Sequence, residues 1–494
     1  MNIKLLKRNP EFARNVQQEL TKQRLIAMPV ILFLLALLVL SVSDIGYNYR
    51  GNKYDNLAKY ASIAFVIIAS LWGAKSAADG VLNEYNGRTW DWQRMSTLSP
   101  WKMTIGKLFG STIFNWYGGI ICVIIYLLST CASNAIYGGM NSSNAFNDTR
   151  LLYSITDIIN SIFIAISIQG IAILASLMQM KKGDGRSKIK VTAIIIFPII
   201  LLMITWIDSG LMYRLGFLQY QRAFWYGMNL GFFRTILTSM FYASWIIAGL
   251  YRTMRTELQY TNGLKWWVLF LISSAIFNAG FILGQHNNSN LQLGITMAFA
   301  MQFLGYAFIT FAMTLLEPKE IIGFRMVIKY FKEKNFDKLY TILPLWTISL
   351  LFLILSGIVT SVLVLTLPDN FIESKLGGLF YNNFFFEKLK AIRSTISAAP
   401  FAMIGFLLRD IALIFYVNLL KKNKRADATA ILYLFILHLV IPLIIRSSSI
   451  GFIFYPSDSQ GFIAMIGAPF FEAFAMIVIL VRKWNDVNSR IEEI

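Results

Sequence analysis

Long uninterrupted apolar runs restrict this chain more than any other feature. About 20 consecutive apolar residues cross the hydrocarbon of a bilayer as an α-helix, and a helix leaves no backbone polar group unpaired there. Twelve such runs, each closed by polar residues, occur at 26–43, 59–79, 108–131, 151–180, 191–207, 231–250, 264–284, 294–316, 343–366, 394–420, 428–446 and 461–481. Composition agrees, with 56% hydrophobic and only 14% charged residues, where soluble domains carry about 25% charged. The expected fold is an all-α integral membrane protein of about twelve transmembrane helices. The run 26–43 reads as a span rather than a cleavable signal, because no small-residue cleavage site follows it and further spans do.

Basic residues are retained on the cytoplasmic side of a membrane. With the N-terminus inside, 31 of the 45 Lys and Arg residues fall in inner segments and 11 in outer ones. That asymmetry places both termini in the cytoplasm and makes the net charge of +19 a topology signal. Nucleic-acid binding is the poorer reading, since the charge is spread over seven loops and not gathered in one domain.

Faint internal echoes suggest a duplication. IAILASLMQMKK (171–182) parallels IALIFYVNLLKK (411–422), and GFFRTIL (231–237) parallels PFFEAFA (469–475), each about 240 residues on. The expected organisation is two parallel six-helix halves, 1–260 and 261–494, a plan that recurs among transporters. Between the fifth and sixth spans of each half, RLGFLQYQRAFWYGMN (214–229) and GFIFYPSDSQGF (451–462) are aromatic enough to dip back into the interface.

Cys122 and Cys131 are the only cysteines. On one helix, nine residues separate them by about 13 Å, too far for a disulfide. With His286 and His438 the only histidines, no metal site is expected, and no set of residues reads as catalytic.

Two polar stretches stand out. In MNIKLLKRNPEFARNVQQELTKQR (1–24), Asn9 can cap a helix and Pro10 can take its first position. Phe12, Val16 and Leu20 then line one face, as in a basic amphipathic helix lying in the headgroup plane. In NEYNGRTWDWQRMSTLSPWKMTIGKL (83–108), Trp92, Met95 and Leu98 share a stripe of a short helix over 89–98. Ser99-Pro100 then restarts a helix that runs through Gly106-Lys107 into the third span.

The sequence of features in the second stretch resembles the permease subunits of ABC-2 type transporters. An acidic residue, Gly-X-Thr, a Trp/Leu-rich turn, Leu-Ser-Pro and Gly-Lys match at Glu84, Gly87, Thr89, Trp90, Leu98, Ser99, Pro100, Gly106 and Lys107. The N-terminal segment is similar to that family's interfacial helix. The resemblance implies that 83–108, with Arg88 and Trp92 among its contact residues, is a cytoplasmic coupling helix docking a separate ATPase, two copies per transporter. It also implies an inner-membrane location and export. The second half departs from the pattern: its linker 317–346 keeps Glu317 and a Leu-Pro but lacks Gly-X-Thr and Gly-Lys. There Ile321, Phe324, Ile328 and Phe331 form an apolar face flanked by Arg325, Lys329 and Lys332, a second candidate coupling helix over 319–334. The chain has no G-x-x-x-x-G-K-[ST] phosphate loop, so ATP and Mg²⁺ would sit on the partner and no cofactor is expected here.

GVLNEYNGRT (80–89) also resembles the loop between the second and third spans of major-facilitator secondary transporters. About eighteen polar and aromatic residues then intervene before the next span, and the second half holds no copy. A polytopic enzyme acting on glycans or lipids is a third reading, resting on the carboxylates and basic residues of the outer loop 367–393.

Ionisable residues within spans are functional candidates by default. Lys75 and Asp79 stand at i, i+4 and are expected to pair. Arg409-Asp410 occupies the place that Gln169-Gly170 holds in the first half. Arg234 and Glu472 are at equivalent places in the FFR/FFE echo and are expected to form one salt bridge between the halves.

Overall fold

The computed structural model describes residues 9–45, 53–96, 98–138, 144–181, 224–231, 233–284, 291–319, 321–367, 385–420, 426–445 and 461–492. Eleven helices among them are long and apolar enough to cross a membrane. The chain is an all-α integral membrane protein. The predicted span 191–207, the segment 451–460 and most of the loop 367–393 lie outside the described residues.

The chain forms two compact units. The first comprises Met1–Ala223 with Leu230–Asn262, the second Phe224–Asn229 with Gly263–Ile494. In the first, α1 (Pro10–Glu19) is followed by α2 (Lys22–Ile45), α3 (Lys53–Asn86), α4 (Thr89–Arg94), α5 (Pro100–Ile105), α6 (Ile113–Gly138), α7 (Asn144–Lys181) and α8 (Phe233–Glu257). Helix α2 shows why the apolar runs are so long. Ile31, Phe33, Leu34 and Leu38 are all more than half exposed, so it is apolar on faces that pack against nothing, as a lipid-facing helix is.

Helix α3 changes to a wide π turn at Val66–Trp72. Such a turn shifts the backbone ladder, and inside hydrocarbon any carbonyl it releases must find another donor. Asn115 Nδ2 donates to the Ile68 carbonyl at 3.1 Å and Gln169 Nε2 to the Ala69 carbonyl at 2.8 Å. Gln169 Oε1 in turn accepts from Trp116 Nε1 at 3.2 Å. A Cβ on Gly73 would lie 2.5 Å from Gln169 Nε2, so a larger residue there would have to displace that amide from the Ala69 carbonyl. Lys75 and Asp79, expected to pair, interact through their charges but close no ion pair: one turn of helix brings the two stems near without joining their ends.

In the second unit, a two-residue hairpin pairs Phe224–Trp225 with Met228–Asn229. Tyr226 and Gly227 turn it with φ of 46° and 84°, the left-handed pair that suits a tight hairpin. Trp225 Nε1 and the Tyr226 hydroxyl donate to the carbonyls of Phe277 and Ile276 at 3.1 and 2.7 Å. They pin the hairpin to α9 (Lys265–Leu283). Then follow α10 (Leu291–Leu316), α11 (Ile321–Lys332), α12 (Phe336–Ile342), α13 (Leu345–Thr366) and α14 (Phe385–Asn418). Next come α15 (Ala426–Phe435), a π turn at Ile436–Val440, α16 (Ile441–Ile445) and α17 (Gly461–Glu492). Its core joins Leu271, Phe303, Tyr306, Leu353, Ile404 and Ile411. Cys122 and Cys131 are both free thiols.

Candidate functional site

The stretch 83–108 folds as two short helices set at the end of α3. Gly87 N–H and Arg88 N–H close the end of α3 on the carbonyls of Asn83 and Tyr85 at 2.8 and 3.1 Å. Arg88, at φ 57°, takes the left-handed position. The Thr89 hydroxyl donates to the Glu84 carbonyl at 3.1 Å, so the Gly-X-Thr segment is a turn that redirects the chain into α4. Helix α4 ends at Arg94 instead of reaching 98. The Ser96 N–H and hydroxyl both fold back on the Gln93 carbonyl, at 3.1 and 2.6 Å. Ser99, extended before proline, then caps α5 by accepting from Lys102 N–H at 3.4 Å, with Pro100 at the first position. A π turn at Gly106–Gly110 leads on to α6.

Helix α4 is held from one side only. Trp90 (2% exposed) and Gln93 are buried, and Trp90 packs with Val81, Met103, Leu108, Leu177 and Met254. Arg94 Nε donates to the Glu257 carbonyl at 2.9 Å, tying α4 to the end of α8. The opposite side is open. Trp92 and Met95 are 74% and 72% exposed, and Trp101 is about half exposed. Trp101 also meets Tyr251 edge-on at 5.7 Å. Leu98, which the stripe would place with them, is half-buried.

Beneath α4 lies a charged cluster drawn from three segments. Lys107 Nζ is 2.7 Å from Glu11 Oε1 and pairs also with Glu84. Arg14 pairs with Glu84 and, at 2.9 Å, with Glu11. Two carboxylates and two cations therefore balance. Lys107 is 1% exposed, and its ammonium sits 5.5 Å from the centre of the Trp90 ring, close enough for a cation–π contact. Glu84, Trp90 and Lys107 thus converge on one point, together with Glu11 and Arg14 from seventy or more residues earlier.

Sequence reasoning missed Glu11, Arg14 and Asn15. Helix α1 forms as the spacing predicts, with Asn9 Oδ1 accepting from Phe12 N–H at 3.3 Å. Its most buried residues, however, are Glu11, Asn15 and Val16, whereas Phe12 and Leu20 stay half-buried. Asn15 Nδ2 donates to the Gly106 carbonyl at 3.2 Å and Asn9 Nδ2 to the Lys102 carbonyl at 2.7 Å. The signal was the i, i+4 spacing of Glu11 and Asn15, on a face passed over because it is polar.

The glycine of the Gly-Lys pair has a steric reason. A Cβ on Gly106 would lie 2.6 Å from Glu11 Cγ and 3.2 Å from the Phe12 backbone nitrogen, and one on Gly110 would lie 2.9 Å from Asn15 Cβ. Gly106→Leu is therefore expected to lift α1 off the unit at a cost of about 1–3 kcal/mol, the usual range for overpacking. Hydrogen exchange of residues 10–19 checks it: faster exchange there, with α6 unchanged, is the expected pattern.

In the second unit the corresponding linker makes other contacts. Glu317 Oε1 accepts from Leu345 N–H at 2.9 Å, supplying the N-terminal cap that Pro344 cannot. Arg325 Nε and Nη2 donate to Asn488 Oδ1 and its carbonyl at 2.5 and 3.2 Å. Lys329 stands on the surface, 3.8 Å from Glu333. Phe324 packs edge-on against Phe415 at 5.2 Å. Ile322 and Phe331 are about 70% exposed. Ile321 is half-buried and Ile328 exposed, so the predicted apolar face is split between packing and surface.

Glu472 meets Arg409 within the second unit, Arg409 Nη1 lying 2.6 Å from Glu472 Oε2. The guanidinium on the neighbouring span satisfies Oε2 alone, and Oε1 is buried without a partner. Among the described residues, no group of three or more His, Cys, Asp or Glu side chains is placed to hold a metal ion.

No protein-family model, curated protein or solved structure matches this chain.

Proposed function

We propose that this chain is the membrane permease subunit of an ABC-2 type transporter, with two six-helix halves fused in one polypeptide. It moves its substrate, in the direction of export, under power from a separate ATPase bound at the cytoplasmic face of the inner membrane. The observation that carries this reading is the two-sided character of α4. Its inner side is locked by Trp90 into the unit core, while Trp92 and Met95 stand clear of it. Helix α4 is also joined to α5 and, through the π turn, to the span α6. A rigid element anchored to a span and presenting bare aromatic surface is the part that a moving partner could push. The charged cluster beneath it supports the same reading, since it ties α1, the end of α3 and the start of α6 into one body that would move as a unit. In the second half, α11 with Ile322 and Phe331 would be the corresponding contact.

The test is co-purification from the native membrane in mild detergent, with ATP hydrolysis as readout. Trp92→Asp with Met95→Asp should abolish nearly all associated ATPase activity while leaving the permease monodisperse. Loss of one interfacial anchor of this kind costs about 2 kcal/mol, or roughly thirtyfold in affinity. Wild-type permease that purifies without any ATPase would turn the reading toward an ion-driven secondary transporter.

A further inference from the structure

Four ionisable side chains from three membrane helices of the second unit meet at a depth where charge is costly. Arg409 and Asp410 lie on α14, Glu472 on α17, and His438 on the π turn between α15 and α16. Each is at least about one and a half turns from either end of its span. Asp410 is fully engaged. Its Oδ1 accepts from Arg409 Nε and Nη2 at 3.1 and 3.0 Å, and its Oδ2 is 2.6 Å from His438 Nε2. Arg409 also lies over the Phe406 ring at 4.8 Å. Asp410 therefore faces Arg409 through one oxygen and His438 through the other, and the same imidazole nitrogen lies 3.3 Å from Arg409 Nη2.

Glu472 is the second carboxylate on the one guanidinium. Oε2 takes one bond from Arg409, but Oε1 is buried without a partner. Beyond Arg409, Asp410 and His438, no charged side chain among the described residues of the neighbouring second-unit helices lies close along the sequence to this point. Helix α13 has no ionisable residue, and α10 has only Tyr306, whose hydroxyl donates to the Leu271 carbonyl at 2.8 Å. Along α14 the next charged side chain is Arg393, and along α17 it is Arg482, ten or more residues away. On α15 it is Asp427, held by Lys319 at 3.0 Å.

We propose that Glu472 is an intramembrane proton-binding site. A proton taken from water forms an O–H bond at Oε1, and the cluster loses one negative charge. A metal cation fits poorly, because it wants several oxygen ligands and this one faces a guanidinium. The helix around the site is built to respond. Pro469, one turn before Glu472, removes a backbone donor from α17. There the helices touch closely, since a Cβ on Gly405 would lie 2.7 Å from Pro469 Cβ. Protonation turns the Arg409–Glu472 ion pair into a neutral-acceptor hydrogen bond, weakening the link between α14 and α17 beside a point where α17 can bend.

The experiment is infrared spectroscopy of the whole chain in lipid nanodiscs, over a pH series and in D2O. It needs no ATPase, so its outcome is independent of the function proposed above. A protonated-carboxyl C=O band that shifts in D2O, titrates away at alkaline pH and is lost in Glu472→Gln is the expected result. Incorporating ¹³C-glutamate into the unmutated protein assigns the same band should the variant fail to fold, and ¹³C-aspartate should leave it in place. The proposal is overturned by absence of the band, by its persistence in Glu472→Gln, by a shift with aspartate label, or by its removal at constant pH on adding sodium, which would make the site a cation site.

Discussion

Lys107→Met is expected to destabilise the first unit by about 3–5 kcal/mol, the range for breaking a buried ion pair by removing one partner. The methionine keeps the length of the stem but deletes the ammonium that lies between Glu11 and Glu84. Two carboxylates would then face a single Arg14, with Glu11 only 4% exposed. Their repulsion falls on the contact between α1 and the π turn at Gly106–Gly110. Thermal unfolding in detergent measures the loss, and limited proteolysis should cut first near residues 9–20. Lys107→Met combined with Glu84→Gln restores the balance of charge between Glu11 and Arg14 and should recover more than half the loss. A single variant as stable as wild type would show that water, not the protein, neutralises this cluster.

Trp90→Ala is expected to cost about 3–5 kcal/mol, as for a large aromatic truncated in a packed core. Trp90 is among the largest fully buried side chains and joins α4 to α3, α5, α7 and α8. Its indole nitrogen is buried with no hydrogen-bond partner, which offsets part of the ring's contribution and places the expected value toward the lower end. The contrast with Trp92 is the sharper measurement. Two residues away and 74% exposed, Trp92→Ala should change unfolding by less than about 0.5 kcal/mol, as exposed positions do. If the two variants melted alike, α4 would not be seated by Trp90, and the anchored-and-open description of this helix would fail.

Where the stretch 83–108 is concerned, local signals were legible and pairings were not. Ser99-Pro100 announced a helix start and the structure places one there. The predicted helix over 89–98 was too long because the stripe Trp92–Met95–Leu98 follows helical spacing past Ser96, whose side chain ends the turn on the Gln93 carbonyl. Glu84 and Lys107 could be singled out by residue type. That they meet one another, with Glu11 and Arg14 completing the set, depends on how α1 lies across Gly106, and no local pattern encodes that. The FFR/FFE echo likewise names Arg234 and Glu472 as equivalent positions, but it does not contain the Arg409 that Glu472 meets in space.

The amino-acid sequence alone determined the class of this protein, because hydrocarbon tolerates only segments that satisfy their own backbone, and runs of that length and apolarity are visible in one dimension. It determined the helix caps too, since a cap is a contact between residues three or four apart. Only the tertiary structure decided which face of α1 is buried. Periodicity ranks faces by apolarity, yet the buried one carries Glu11 and Asn15, stabilised by a lysine more than ninety residues further along the chain. Equally, only packing set Arg409, Asp410, His438 and Glu472 against one another. Electrostatic pairing depends on distance in space, and distance in space is the quantity that a linear order of residues does not contain.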